Sequence, residues 1–298
     1  MAWSPTEYME VAVPAPAFPA TVDDRWVVAP DYVYSGPSTP GNVPRFTVAV
    51  MDATTETAEL YSGVGWFAAA AATSGYAWIV SQATSGSSAR SLIKFDPSTG
   101  GNTNYTAPTL APRSAVLAVG SHIWVINTSG TGTTNMERFN VSTSLWDTAF
   151  TGSLSVHGYA WDGGSYVYIF HPSSVIRYDV TTGTATTVTP SGYQTPAQVR
   201  VARDPYGVFW YYVFNTIYRW DPGVSYTAIA GGVVGSSTTG VYGDDGFMYF
   251  VVADKLVACD LAGSSVASYA LLPSRADRYA VECADGRLWI PAGAPYTR

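Results

Sequence analysis

The sequence predicts an all-β fold, a seven-bladed β-propeller of four-stranded antiparallel blades, on three observations. Two landmarks recur along the chain about every 40 residues, which is the length of one blade. Only 12% of the residues are charged and 14% are aromatic, a composition typical of many short strands joined by turns. Each chain end lacks a half repeat that the other supplies. The 298 residues are therefore predicted to form a single propeller domain, 1–298.

The first landmark is a polar residue that begins a turn, best seen in Phe95–Gly100. It recurs at Asp52, Asp96, Asn140, Asp179, Asp221 and Asp260. An Asp followed by Pro or Thr and then Gly binds the backbone of its own turn. We therefore interpret these residues as structural turn anchors and not as catalytic acids.

The second landmark is an aromatic residue within an apolar strand. It recurs at Tyr34, Trp78, Trp124, Tyr168, Trp210, Tyr249 and Trp289. Runs of smaller apolar residues, such as 115–119, fit the crowded centre of a propeller. We expect the aromatic residues one strand further out, where they fill the widening space between blades.

The chain ends predict how the ring closes. Trp289 has no turn after it before Arg298, and the turn-like segment 3–6 has no strand before it. Counting strands a to d outward from the centre, we expect the C-terminus to give strands a and b of the last blade. The N-terminus would give strands c and d, so that no sheet edge is left unpaired.

Charge and hydropathy exclude several classes of function. A net charge of −7 argues against a nucleic-acid partner, which needs clustered Lys and Arg. No run approaches the ~20 apolar residues of a membrane span, so no membrane insertion is expected. Without a basic start and an apolar core at the N-terminus, the chain is predicted to be made in the cytoplasm without a signal peptide. Cys259 and Cys283 lie in apolar runs and are predicted to be buried free thiols.

Three clusters of polar residues were weighed as metal sites. The segments 162–164 and 244–246 combine Asp with Gly, but tight hairpin turns explain them better than calcium loops. His157 and His171 are expected to face each other across strands a and b, whereas His122 belongs to another blade. Two histidines without a third ligand indicate polar residues near the centre and no metal centre. No cofactor is expected.

Catalytic arrangements are not evident. Arg200 and Arg203 on an inner strand could begin the carboxylate site of a sialidase-like hydrolase, but the repeated turns of that family are not met. No Ser-His-Asp order, phosphate loop or dinucleotide-binding glycine motif occurs. We predict that the protein is not an enzyme, and a propeller glycoside hydrolase remains an alternative.

Two segments resemble kelch-type repeats. Val175–Gly183 and Met136–Trp146 are similar to the third strand and following turn of such a repeat, and Trp146 is placed like its fourth-strand Trp. The resemblance covers all blades, although the paired glycines of the kelch repeat are absent from most of them. It implies a divergent kelch-like propeller.

The composition resembles that of minor tail proteins of bacteriophages. It combines two Lys, Lys94 and Lys255, and 13 Arg with abundant Ala, Gly, Ser, Thr and Tyr. The resemblance implies a structural or host-recognition component of a virion, with other virion proteins or a host receptor as partners, and it is compatible with a multi-copy assembly. The alternative is a free-standing, lectin-like propeller that binds carbohydrate or protein.

Loop lengths predict the binding surface. The connections between strands b and c in the first three blades, 35–45, 81–91 and 127–135, are longer than in the next three. Long loops on a rigid scaffold usually carry binding residues, although surface loops also lengthen by drift. The candidate polar contacts in these loops are Arg45, Gln82, Arg90, Asn127 and Asn135. Tyr193, in a d-to-a connection on the same face, is the nearest candidate for sugar stacking.

Overall fold

The computed structural model describes most of the chain as short strands and turns. The described residues are 9–12, 16–22, 25–30, 47–52, 57–62, 66–82, 91–106, 114–127, 134–152, 156–196, 199–213, 215–231, 240–243, 245–252, 255–263, 266–270, 282–284 and 287–292. Within these ranges no residue is helical. They form seven sheets.

Residues 13–153 form one compact unit of three antiparallel four-stranded sheets. In every sheet the strands pair in chain order, so that each is a meander. The first sheet contains β2 (Pro16–Val22), β3 (Arg25–Pro30), β4 (Thr47–Asp52) and β5 (Thr57–Ser62). The second contains β6 (Trp66–Thr73), β7 (Tyr76–Gln82), β8 (Ser91–Phe95) and β9 (Asn102–Thr106). The third contains β10 (Ser114–Val119), β11 (His122–Asn127), β12 (Thr134–Asn140) and β13 (Leu145–Gly152).

Residues 154–298, with residues 1–12, form a second compact unit. The fourth sheet of the chain, which is the first in this unit, contains β14 (Gly158–Trp161), β15 (Tyr166–His171), β16 (Ser174–Asp179) and β17 (Ala185–Thr187). The fifth contains β19 (Ala202–Arg203), β20 (Phe209–Val213), β21 (Thr216–Asp221) and β22 (Ser225–Gly231). The sixth contains β23 (Gly240–Tyr242), β24 (Phe247–Val252), β25 (Lys255–Asp260) and β26 (Val266–Ala270). The extent of a single domain, 1–298, stays a prediction.

The inner strand of the fifth sheet also joins the fourth. The short strand β18 (Val199–Arg200) precedes β19 directly and pairs in parallel with β14. Backbone hydrogen bonding thus passes from one sheet to the next along a single segment, because the Val201 N–H donates to the Tyr159 carbonyl at 3.0 Å. The two sheets are therefore fixed to each other at their inner strands.

Both chain ends enter the seventh sheet, as predicted. It contains β27 (Glu282–Ala284) and β28 (Arg287–Ala292), which are antiparallel and correspond to strands a and b. The N-terminus adds β1 (Met9–Ala12) beside β28. However, β1 runs parallel to β28 and the sheet has three strands among the described residues, where four antiparallel strands were expected. Alternating strands make b and d parallel, so β1 has the direction of strand d.

The two sequence landmarks fall where they were predicted. The aromatic landmarks from Trp78 to Trp289 lie in the second strands of their sheets, and Tyr34 lies outside the described residues. The five from Trp78 to Tyr249 are all at least 96% buried. Each turn anchor lies at, or one residue after, the end of a third strand. The apolar run 115–119 lies in β10, an innermost strand, as predicted.

The core lies between neighbouring sheets. The strand Phe209–Val213 is buried at all positions, and its alternate side chains enter two different clusters. Phe209 and Tyr211 pack against Tyr168 and Phe170 of the fourth sheet, whereas Trp210 and Tyr212 pack against the sixth. Successive side chains of a strand point to opposite faces, so the fifth sheet is covered on both. Sheets that stack on both faces in chain order are the basic unit of a propeller.

Two further expectations concern single features. Cys259 is a buried free thiol, as predicted, and the side chain of Cys283 lies outside the described part. In the ranges that the structure covers, no helix has the length and apolar character needed to span a bilayer.

Candidate functional site

Three of the turn anchors, Asp96, Asn140 and Asp179, bind the backbone of their own turns through their side chains, which confirms the structural interpretation for these three. The Ser98 N–H donates to Asp96 Oδ1 at 2.8 Å, and the Ser142 N–H donates to Asn140 Oδ1 at 2.9 Å. Asp179 accepts hydrogen bonds from two successive backbone N–H groups at 2.8 Å. These hydrogen bonds hold the pKa of the Asp179 carboxyl below its ordinary value. The hydroxyl and N–H of Ser98 do the same for Asp96.

The two Asp-Gly segments that were weighed as calcium loops are also turns. Asp162 Oδ1 accepts hydrogen bonds from the N–H groups of Gly164 and Tyr166 at 2.8 and 3.0 Å. Asp245 Oδ1 accepts one from Phe247 N–H at 3.3 Å, and Asp244 lies outside the described residues. In the described part of the chain no three His, Cys, Asp or Glu residues are grouped so that they could hold a metal ion.

A repeated cation–aromatic pair, which the sequence analysis missed, supports four successive sheets. An aromatic residue of the second strand lies opposite a cation of the third strand in each of them. The pairs are Trp78 with Lys94, Trp124 with Arg138, Tyr168 with Arg177, and Trp210 with Arg219. The Arg138 and Arg219 guanidinium carbons lie 5.8 Å from the ring centroids of their Trp partners. The visible signal is a basic residue, an aromatic residue and a turn anchor in a row, as in 177–179.

The strand boundaries confirm the unequal connections between second and third strands. In the first three sheets these connections are 31–46, 83–90 and 128–133. In the next three they shrink to 172–173, 214–215 and 253–254. Gln82 and Asn127 are the last residues of β7 and β11, and Asn135 is the second residue of β12. Arg45 and Arg90 lie outside the described residues.

Tyr193 is held by its hydroxyl group. Its Oη donates to the His171 carbonyl at 2.9 Å, and its ring packs beside the cluster that joins the fourth and fifth sheets. Burial raises the pKa of the Tyr193 phenol above its ordinary value. A sugar would meet only the part of the ring that remains exposed, so its use as a stacking platform stays a prediction.

The segment around Tyr193 is tied to the fifth sheet by a tyrosine cluster. The Gln194 N–H donates to Tyr226 Oη at 2.8 Å, and Tyr211 Oη donates to the Gln194 carbonyl at 3.0 Å. The Tyr218 ring stacks on the rings of both Tyr211 and Tyr226. Its centroid lies 5.4 Å from that of Tyr226, and the two ring planes are 10° from parallel. This connection between the fourth and fifth sheets is therefore a rigid part of the scaffold.

His157 and His171 are neighbours, as their spacing predicted. The His157 N–H donates to the Phe170 carbonyl at 2.8 Å, which places it beside the end of β15. Burial, with a smaller contribution from His157, lowers the pKa of the His171 imidazole. The Ser173 N–H donates to His171 Nδ1 at 3.4 Å. His122 belongs to the third sheet, where its Nε2 lies 3.4 Å from Asn140 Nδ2.

Comparison with known proteins places the chain by fold alone. No protein-family model matches, and no curated protein matches. A solved streptogramin B lyase is 13% identical with a TM-score of 0.71, over 95% of this chain and 92% of the other. A chain of a mitotic checkpoint complex is 12% identical with a TM-score of 0.67, over 98% and 92%. BamB from Moraxella catarrhalis is 11% identical with a TM-score of 0.58, over 95% and 83%.

These structures are β-propellers, and the described sheets agree with them. The chain therefore has the seven-bladed β-propeller fold predicted from its repeats. At identities this low the likeness extends to fold and no further. The kelch-type and phage tail resemblances stay predictions.

Proposed function

We propose that this propeller is a non-catalytic structural or host-recognition component of a virion, associated with a phage tail. The observation that carries the proposal is the set of long connections 31–46, 83–90 and 128–133 in the first three sheets, whereas the second-to-third-strand connections of the fourth to sixth sheets have two residues each. The composition, resembling that of minor tail proteins, supports the virion setting.

The long connections support recognition because of where they emerge. In a meander the connection between the second and third strands lies at one end of the strands. The first-to-second and third-to-fourth turns lie at the opposite end. In three consecutive sheets the long connection therefore joins the strands at the corresponding end. Binding residues sit preferentially on loops that a rigid scaffold positions. Gln82, Asn127 and Asn135 border these segments, and Arg45 and Arg90 lie within them. Amide and guanidinium groups of this kind suit hydrogen bonding to a protein partner.

The proposal is tested by shortening the three long connections in the native gene, at its natural place in the genome. Each would be cut to the two-residue length found at 172–173, and a control variant would replace residues 172–173 with two other turn residues. Purified particles would be analysed by mass spectrometry for the protein and assayed for adsorption to host cells. We expect the shortened protein to fold but to be lost from the particles or to abolish adsorption. A folded, shortened protein that assembles and adsorbs like the control would refute the role of these loops.

A further inference from the structure

Arg203 differs from the other half-buried cations that the structure describes, because it has no direct partner there. It ends the inner strand β19 of the fifth sheet, and its Nε is buried. Among the residues that the structure describes, its guanidinium makes no hydrogen bond, ion pair or ring contact. A buried N–H donor such as this Nε–H is unfavourable when it has no acceptor. Buried polar groups without partners in a native protein call for an explanation, and a missing ligand is one.

The carboxylates next to Arg203 are already occupied. Asp204 Oδ1 accepts hydrogen bonds from Tyr206 N–H at 2.9 Å and Val208 N–H at 3.0 Å. Its Oδ2 accepts one from the Trp210 indole at 3.0 Å. Asp162, in the first hairpin turn of the fourth sheet, likewise binds the backbone of its own turn. The chain therefore places two acids nearby and pairs neither with the guanidinium.

The neighbouring turn is shaped around the guanidinium. A β-carbon at Gly163 would lie 2.7 Å from Arg203 Cζ, so the guanidinium packs directly against the backbone of this turn, where Gly163 has a φ of +77° that favours glycine. Trp161 holds this turn by donating from Nε1 to the Gly164 carbonyl at 3.0 Å. On the next hairpin turn Tyr206 is 81% exposed. The guanidinium thus lies between two first-to-second-strand turns, with an exposed aromatic ring on the same edge of the fifth sheet.

We propose that Arg203 is the centre of a carboxylate-binding site at this end of the fifth sheet, where Gly163 packs against one side of the guanidinium and Tyr206 offers an apolar contact. The fork of a guanidinium matches a carboxylate by two parallel hydrogen bonds. A monovalent carboxylate suits the site better than a phosphate dianion, because Asp162 and Asp204 repel excess negative charge. The carboxylate comes either from a sugar acid or from an acidic side chain of a protein. The site lies among the first-to-second-strand turns of the fourth and fifth sheets and includes none of the long connections, so it goes beyond the proposed function.

The test is calorimetric titration of the full chain with defined carboxylates. Sodium D-glucuronate stands for a sugar acid, with D-glucose as its neutral counterpart. An acetylated, amidated Gly-Glu-Glu-Gly peptide stands for a protein, with its Gln version as the counterpart. We expect glucuronate, the acidic peptide or both to bind, their neutral counterparts not to bind, and inorganic phosphate to bind more weakly. The probe that binds more tightly identifies the source of the carboxylate. An absence of carboxylate binding, or tighter binding of phosphate, overturns the proposal.

Variants separate the site from general charge effects. Arg203→Met should reduce affinity by about tenfold to a hundredfold, as expected for charged hydrogen bonds. Arg177→Met is the matched control, because it removes the same charge from a guanidinium that lies 4.3 Å from the Tyr166 ring in the fourth sheet. Its affinity should equal that of the unaltered protein. Equal affinities of Arg203→Met and Arg177→Met would contradict the site.

A second variant covers the case in which Arg203→Met does not fold. Arg203→Lys keeps the charge but loses the planar fork, so a loss of about tenfold is expected, and undiminished affinity overturns the proposal. The variants with shortened long connections leave this edge intact and should bind the carboxylate normally. Failure of the loop proposal and failure of the Arg203 site are therefore distinguishable.

Discussion

Asp204 shows how a buried acid can be purely structural. Its side chain is 2% exposed and accepts three hydrogen bonds, which close the first hairpin turn of the fifth sheet and fix the Trp210 ring. A carboxylate is tolerated at this depth because each of its oxygens is satisfied by N–H donors. Sequence reasoning singled out the regular turn anchors and passed over Asp204, because its role depends on a tryptophan six residues away.

Replacing Asp204 should destabilise the protein strongly. Asp204→Ala leaves the Trp210 indole and two backbone N–H groups without an acceptor, so we expect the free energy of unfolding to fall by about 3 kcal/mol. Urea denaturation measures the change. Asp96→Ala, in an exposed turn of the second sheet, is the control and should have a clearly smaller effect. Equal effects of the two variants would contradict the special role of Asp204.

Cys259 should be chemically silent in the folded protein. Burial raises the pKa of its thiol from 9.0 to about 12, so at pH 8 the reactive thiolate is scarce and inaccessible. In a Cys283→Ser background we expect a thiol reagent to label Cys259 only after denaturation. Stoichiometric labelling of the native variant would show the opposite.

The same pKa difference gives a pH dependence of stability. Between about pH 9 and pH 12 the unfolded chain has released the Cys259 proton while the folded chain still holds it. Since the folded state then binds more protons, its stability must fall as pH rises through this window.

At the scale of elements, the repeated unit is a pair of neighbouring strands, the second and the third of a sheet. An aromatic residue of the second strand lies opposite a cation of the third. The recurring aromatic residue and the turn anchor predicted the second strand and the turn that follows the third. The pairing of Trp78 with Lys94 or Trp210 with Arg219 was not predicted, because it depends on the cross-strand register. The lengths of the connections were predictable from residue spacing. Residue spacing alone does not assign a function to them.

Lys94 tests the contribution of one such pair. Its Nζ lies 3.7 Å from the centroid of the Tyr76 ring and 6.0 Å from that of Trp78. Lys94→Met should lower the free energy of unfolding by about 1 kcal/mol, whereas Lys94→Arg should be nearly neutral because the cation is kept. Thermal denaturation in low and high salt measures the stability of both variants. A neutral Lys94→Met variant would mean that the pair adds nothing to stability.

At the scale of the whole molecule, the blade number followed from the repeat and the closing sheet followed from the ends. The order of strands within that sheet was not predicted correctly. The repeat predicted that the N-terminus supplies strands c and d, and that strand d is separated from strand b by strand c. The structure instead sets Met9 beside Trp289, with β1 in the direction of a fourth strand but next to the second.

Removing the N-terminal strand should weaken the protein as a whole. Deletion of residues 1–14 takes away β1 and leaves an edge of β28 unpaired, so the melting temperature should fall by about 10 °C or more. Scanning calorimetry records the transition, and adding a peptide of residues 1–14 should restore part of the loss. An unchanged melting temperature would show that β1 is dispensable.

The pairing of β1 with β28 also fixes an order of events during synthesis. A ribosome releases β1 early, yet its partner appears only when nearly all of the remaining sheets have been translated. Contacts so distant in sequence form slowly, and until then an unpaired strand edge is open to other chains. Translation that stops before β28 leaves that edge permanently open. The seventh sheet therefore forms only in chains translated as far as β28, and in shorter chains β1 stays without this partner and is exposed to aggregation and proteolysis.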